Sequence, residues 1–129
     1  MSNDKTFAII AYSDQVLIYK FNGLNYTILQ RLIKVKSQII CVRITSDNAI
    51  LAFSTSDYNI YIYKFNGTYF ERMQTIFEKG ANTAKNTSRK ISLTNDHQYL
   101  TFVGGDKTFS IYKYNEYTEK FTFFMKKYN

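Results

Sequence analysis

The run Ile18-Tyr19-Lys20-Phe21-Asn22-Gly23 recurs unchanged as Ile62-Tyr63-Lys64-Phe65-Asn66-Gly67, and returns altered as Ile111-Tyr112-Lys113-Tyr114-Asn115-Glu116. The copies stand 44 and then 49 residues apart. A second landmark, Ile44-Thr45-Ser46-Asp47-Asn48, matches Leu93-Thr94-Asn95-Asp96-His97 at the larger spacing. Repetition at a fixed period of about 20–50 residues marks a chain built from one supersecondary unit that needs neighbours to cover its apolar surface. The five extra residues of the later unit fall in the polar stretch from Gly80 to Ser88, which reads as a lengthened loop.

Within the middle unit, Ile39 to Ile44 is apolar and β-branched, and Thr45-Ser46-Asp47-Asn48 then supplies turn chemistry. Ala49 to Phe53 forms the next strand, followed by the turn Ser54-Thr55-Ser56-Asp57. Asn59 to Phe65 is the third strand, Asn66-Gly67 a tight hairpin turn, and Thr68 to Ile76 the fourth strand. Four antiparallel strands in a unit of about 40–45 residues make the blade of a propeller. Side chains alternate across a strand, so Ile60 and Ile62 face one way while Tyr61, Tyr63 and Phe65 face the other. Both faces are apolar, and a blade held between two neighbours needs that. The fourth strand, with Tyr69, Glu71, Arg72 and Gln74, is mixed, as suits an outer edge.

Composition agrees with an all-β chain. Aromatic residues make up 18%, proline is absent, and Tyr, Phe, Ile, Val and Thr favour a pleated, half-buried surface. Phe7 to Ala11 matches the second strand of a blade, so the first unit lacks its innermost strand. The expectation is eleven strands in one partial propeller domain spanning residues 1–129. Its blades cover about residues 6–34, 38–77 and 89–126. A propeller closes with about four to eight blades, so this one is open. It is a piece of a longer chain, a self-associating part-propeller, or a subunit completed by another protein. The missing strand favours the first.

The stretch from Tyr99 to Lys113 resembles the second and third strands of the WD-repeat family, with the turn Gly104-Gly105, Asp106 after it, and the closing pair Tyr112-Lys113. Asp14 and Asp57 occupy the matching turn of the other units. The family's Trp-Asp pair is replaced by Tyr19-Lys20, Tyr63-Lys64 and Tyr112-Lys113, and its Gly-His pair is missing, with Lys36-Ser37 and Thr87-Ser88 near its place. The family's His–Ser/Thr–Asp–Trp relay is therefore incomplete here. The resemblance implies a non-catalytic scaffold for protein–protein interaction.

The chemistry-bearing residues carry a structural reading. Asp14, Asp57 and Asp106, like Asp47 and Asp96, recur once per blade and cap turns rather than converging on a substrate. Tyr19, Tyr63 and Tyr112 recur as core positions. His97 is the only histidine and Cys41 the only cysteine, so no catalytic set, metal site or cofactor site is assembled. The formal net charge is +7, but the basic residues are scattered. The lengthened basic segment holding Lys85, Asn86, Arg89 and Lys90 is the candidate loop for a protein partner. An alternative is an RNA or anionic-surface binder using Lys34, Lys36, Lys85, Arg89 and Lys90. A single cysteine, no basic-then-apolar leader and no apolar run of ~20 residues point to a cytoplasmic protein without a transmembrane segment.

Overall fold

The apolar runs, separated by turns rich in Asn and Asp, form eleven strands and no helix among the described residues of the computed structural model. Those residues are 6–12, 15–32, 39–56, 59–77, 90–94, 96, 98–103 and 108–128. Strands β1 (Phe7–Tyr12), β2 (Gln15–Phe21) and β3 (Tyr26–Arg31) make the first sheet. The second contains β4 (Ile39–Ile44), β5 (Ile50–Thr55), β6 (Asn59–Phe65) and β7 (Phe70–Phe77). The third contains β8 (Lys90–Leu93), β9 (Tyr99–Val103), β10 (Thr108–Asn115) and β11 (Lys120–Tyr128). Within each sheet every strand pairs antiparallel with its neighbour in sequence, giving three, four and four strands as expected. The three sheets are propeller blades, stacked so that β4 lies beside both β1 and β8.

Blade 2 shows why the strands carry two apolar faces. Tyr63, Leu51 and Phe53 point back to blade 1, where they bury Phe7, Val16 and Ile18. Ile50, Ala52, Ile60 and Ile62 point forward to blade 3, against Ile91, Leu100, Phe102, Tyr112 and Phe121. Every residue of β5 is buried. At roughly 1.5–3 kcal/mol for each large side chain taken from water, these two interfaces dominate the stability of the stack.

The repeat also carries polar devices. Thr45 Oγ1 donates to Asp47 Oδ1 at 2.8 Å and accepts from the Ile50 N–H at 3.1 Å. Blade 3 copies this turn, with Thr94 Oγ1 donating to Asp96 Oδ1 at 2.7 Å and accepting from Tyr99 N–H at 3.0 Å. The hairpin after β6 is longer than the two residues expected, and the hairpin after β2 has the same length. Asn66 Oδ1 accepts from the N–H groups of Thr68 and Tyr69, both at 2.9 Å, so a four-residue loop replaces a tight turn and β7 starts at Phe70. Gly67 there has φ 99°, a conformation closed to most side chains. A β-bulge recurs at one place in each blade, between Ile18 and Tyr19, Ile62 and Tyr63, and Ile111 and Tyr112.

The outer strands are joined across the blades by glutamine. Gln30 Nε2 donates to the Phe70 carbonyl and Gln30 Oε1 accepts from the Phe70 N–H, both at 2.8 Å. Gln74 does the same to Phe121, at 2.7 and 2.8 Å. Gln30 and Gln74 hold one register position, opposite Ile18 and Ile62; in blade 3 Met125 stands there, opposite Ile111.

Truncating Phe53 to Ala should cost about 3–5 kcal/mol of unfolding free energy, whereas Leu24→Ala, at a 91% exposed position, should stay within about 0.5 kcal/mol. Gln74→Met should cost roughly 1–3 kcal/mol, because it leaves the part-buried main chain of Phe121 unpaired. Urea unfolding midpoints of the three variants check this. Equal midpoints for Phe53→Ala and Leu24→Ala would contradict the stacked arrangement.

Candidate functional site

Among the described residues, three hollows open between or beside the blades. The first, about 210 Å³, lies on the inner side, where β1 meets β4, and is lined by Ile9, Val42, Arg43 and Ile44. Arg43 is exposed on the inner strand of blade 2, and its Nη1 donates to the Val42 carbonyl at 2.8 Å. Its counterpart in blade 3 is Ser92, since Arg43 pairs with Ala52 and Ser92 with Thr101 at one register position. Arginine is thus not a requirement of the repeat at this place.

The second hollow, about 330 Å³, lies between the outer strands of blades 1 and 2. It is lined by Arg31 from β3, by Tyr69, Glu71 and Arg72 from the hairpin and β7, and by Tyr63 below them. The Tyr69 hydroxyl donates to Glu71 Oε1 at 3.1 Å. Tyr63 is 5% exposed and stacks on Phe53 with ring centroids 5.8 Å apart. Burial pushes its phenol above the ordinary tyrosine range, against a smaller opposing pull from the Arg72 charge, and Tyr61 adds to the rise. The third hollow, about 370 Å³, is a polar notch at the β10–β11 hairpin that includes Lys113, Glu116 and Tyr117.

The residues singled out by sequence are distributed unevenly. Tyr63 and Tyr112 are buried, Tyr19 only partly. Cys41 is a buried free thiol in the interface between blades 2 and 3. Asp14, Asp57, Asp106, His97, Lys34, Lys36, Lys85, Asn86 and Arg89 lie outside the described residues, and so does the side chain of Lys90, whose backbone opens β8. No geometry is therefore attached to the basic segment. Among the described residues no group of three or more His, Cys, Asp and Glu gathers as a metal site, and no helix is long and apolar enough to cross a membrane. Sequence reasoning passed over Arg31, Arg43 and Gln30, and found in Arg72 and Gln74 only the polarity of an edge. The signal was available as departures from, or matches to, the repeat register.

No family model and no curated protein matches the sequence. Solved structures do match the fold, and they are β-propellers. The chain is similar to a 6-phosphogluconolactonase, so named provisionally, from Bacteroides uniformis, with TM-score 0.76 and 16% identity over 100% of this chain and 40% of that one. It is also similar to the periplasmic gluconolactonase of Pseudomonas aeruginosa, with TM-score 0.70 and 10% identity over 98% of this chain and 38% of that one. Hsv2 of Kluyveromyces marxianus matches with TM-score 0.73 and 11% identity, over 99% of this chain and 44% of that one. This chain spans about two fifths of the length of these structures.

These neighbours correct two expectations. The chain was expected to be a non-catalytic scaffold, or alternatively an RNA or anionic-surface binder, and in either case not an enzyme. Two of the three structures of this shape carry lactonase names. The stacked blades therefore do not exclude catalysis, because activity resides in side chains and loops placed on the fold and not in the fold itself.

The raised phenol of Tyr63 yields a testable pH dependence. Between the ordinary tyrosine value and its folded value the native state keeps a proton that the unfolded chain has lost. Its contribution to stability is therefore complete below about pH 10 and is lost as pH rises through the folded value. Urea midpoints measured from pH 9 to 11.5 should fall more steeply for the wild-type chain than for Tyr63→Phe; parallel curves would contradict the assignment.

Proposed function

We propose that the chain is a sector of a larger β-propeller, completed by further blades, and that the ring it belongs to hydrolyses a sugar lactone at its inner wall. Completion is supported by comparing equivalent positions. Tyr63 and Tyr112, which face a preceding blade, are 5% and 7% exposed, while Tyr19 in blade 1 is only partly buried. Ile18 and Ile62, which face a following blade, are fully buried, while Ile111 in blade 3 is only partly buried. Blade 1 also leaves Ile10, Phe21 and Ile28 exposed at 47, 41 and 50%. Uncovered apolar faces of this kind mark surfaces that a partner covers. The blades themselves read as divergent WD-type units, with Tyr-Lys where that family has Trp-Asp.

The lactone reading draws on the names of two fold neighbours and on one feature of this chain, the exposed charge of Arg43 on an inner strand. Water attack on a lactone carbonyl forms a C–O bond and develops negative charge on the carbonyl oxygen; collapse breaks the ring acyl C–O bond, and the proton lost by the attacking water to solvent is matched by one that the departing ring oxygen takes up to become a hydroxyl. A positioned cation in a partly enclosed site stabilises that charge more in the transition state than in the ground state. Arg43 is the residue we assign to this role, with Val42 holding its guanidinium.

The complete propeller that contains this sector should hydrolyse 6-phosphogluconolactone faster than buffer alone in a pH-stat assay. Arg43→Ala should lower kcat/KM by about a hundredfold with an unchanged β circular-dichroism spectrum. A wild-type rate equal to that of buffer would overturn the proposal.

A further inference from the structure

We infer that the groove between β3 and β7 binds a phosphate monoester, gripped between Arg31 of blade 1 and Arg72 of blade 2. The two residues are brought together by the glutamine clasp. Gln30 precedes Arg31 in the chain, and its carboxamide is fixed to the main chain of Phe70, two residues before Arg72. Tyr63 and Arg72 are paired in register, so Arg72 rises on the face that looks back toward blade 1. Both guanidinium groups are exposed, both line the same hollow of about 330 Å³, and neither has a carboxylate partner among the described residues.

The next junction serves as an internal control. It has the same clasp, made by Gln74 to Phe121. At the register of Arg31 it carries Thr75, opposite Tyr61, and at the register of Arg72 it carries Phe123, opposite Tyr112. The blade interface therefore forms without either arginine, and the paired charge is an addition to one junction only. Two like charges lining one hollow repel each other until an anion lies between them, and arginine's planar fork suits a tetrahedral oxyanion with several acceptor oxygens. The apolar floor, Leu32 and Phe70, limits hydration beneath the site. Glu71 lines the same hollow and opposes an anion; the bond from the Tyr69 hydroxyl holds it at 3.1 Å. That opposition makes the site distinguishable from general basicity. The chain's charge of +7 attracts any anion weakly and changes little with one carboxylate, whereas an anion seated beside Glu71 gains markedly when Glu71 loses its charge.

The test is isothermal titration of the full chain at near-physiological salt with glucose 6-phosphate and, separately, sedimentation with vesicles containing a phosphatidylinositol monophosphate. Arg31→Ala and Arg72→Ala should each weaken binding about tenfold, the loss of one charged hydrogen-bonding partner. Glu71→Gln should tighten it by a few-fold, and Lys113→Ala, at another hollow, should leave it unchanged. Binding of the soluble ester identifies a metabolite site, and binding only of vesicles identifies a headgroup site; both support the phosphate grip. Absence of binding to either, or equal weakening by Lys113→Ala, would overturn it. Because Arg43 takes no part, the lactone assay and this titration fail separately.

Discussion

Each middle strand of this chain presents oil to both sides, and that constraint governs the rest. A single sheet with Ile50, Ala52, Ile60 and Ile62 on one face and Leu51, Phe53 and Tyr63 on the other has no face to give to water. Stacking satisfies both faces at once for blade 2, where all of β5 is buried. It satisfies one face only for blades 1 and 3. Tyr19 and Ile111, at the outward faces of those two blades, are only partly buried, which supports the proposal that further blades cover them.

Polar groups then set the geometry that the hydrophobic effect, being non-directional, leaves open. The Thr-x-Asp turns fix the approach of each inner strand, the Asn residues shape each hairpin, and Gln30 and Gln74 lock successive outer strands at hydrogen-bond distance. In a repeat protein these recurring groups account for the architecture. Residues that break the repeat, such as Arg43 against Ser92, or Arg31 and Arg72 against Thr75 and Phe123, are not needed for it. Function is best sought among them.

Much of the fold was legible because its signals are local and repeated. The identical run Ile-Tyr-Lys-Phe-Asn-Gly located two blades, and the alternation in Asn59–Phe65 foretold that both faces would be covered. The hairpin was misread because Asn-Gly is a strong two-residue signal, while the Asn66 side chain here organises two N–H groups beyond the glycine. The clasp was missed although Gln30 and Gln74 share the 44-residue spacing, because a lone Gln on a mixed edge strand gives no sign of its partner 40 or 47 residues on. The candidate site was hardly legible at all. Arg31 and Arg72 meet only through a contact between blades, which no period within one blade encodes.

Cys41 offers the most direct check on the stack, being the chain's single thiol and lying in the interface between blades 2 and 3 beside Ile91 and Phe102. Its reaction rate with an aromatic disulfide reagent measures how often that interface opens. Stacked blades predict reaction at least about a hundredfold slower in the native chain than in urea, limited by opening of the interface. Equal rates in the two conditions would show that the blades do not cover one another, and would contradict the account.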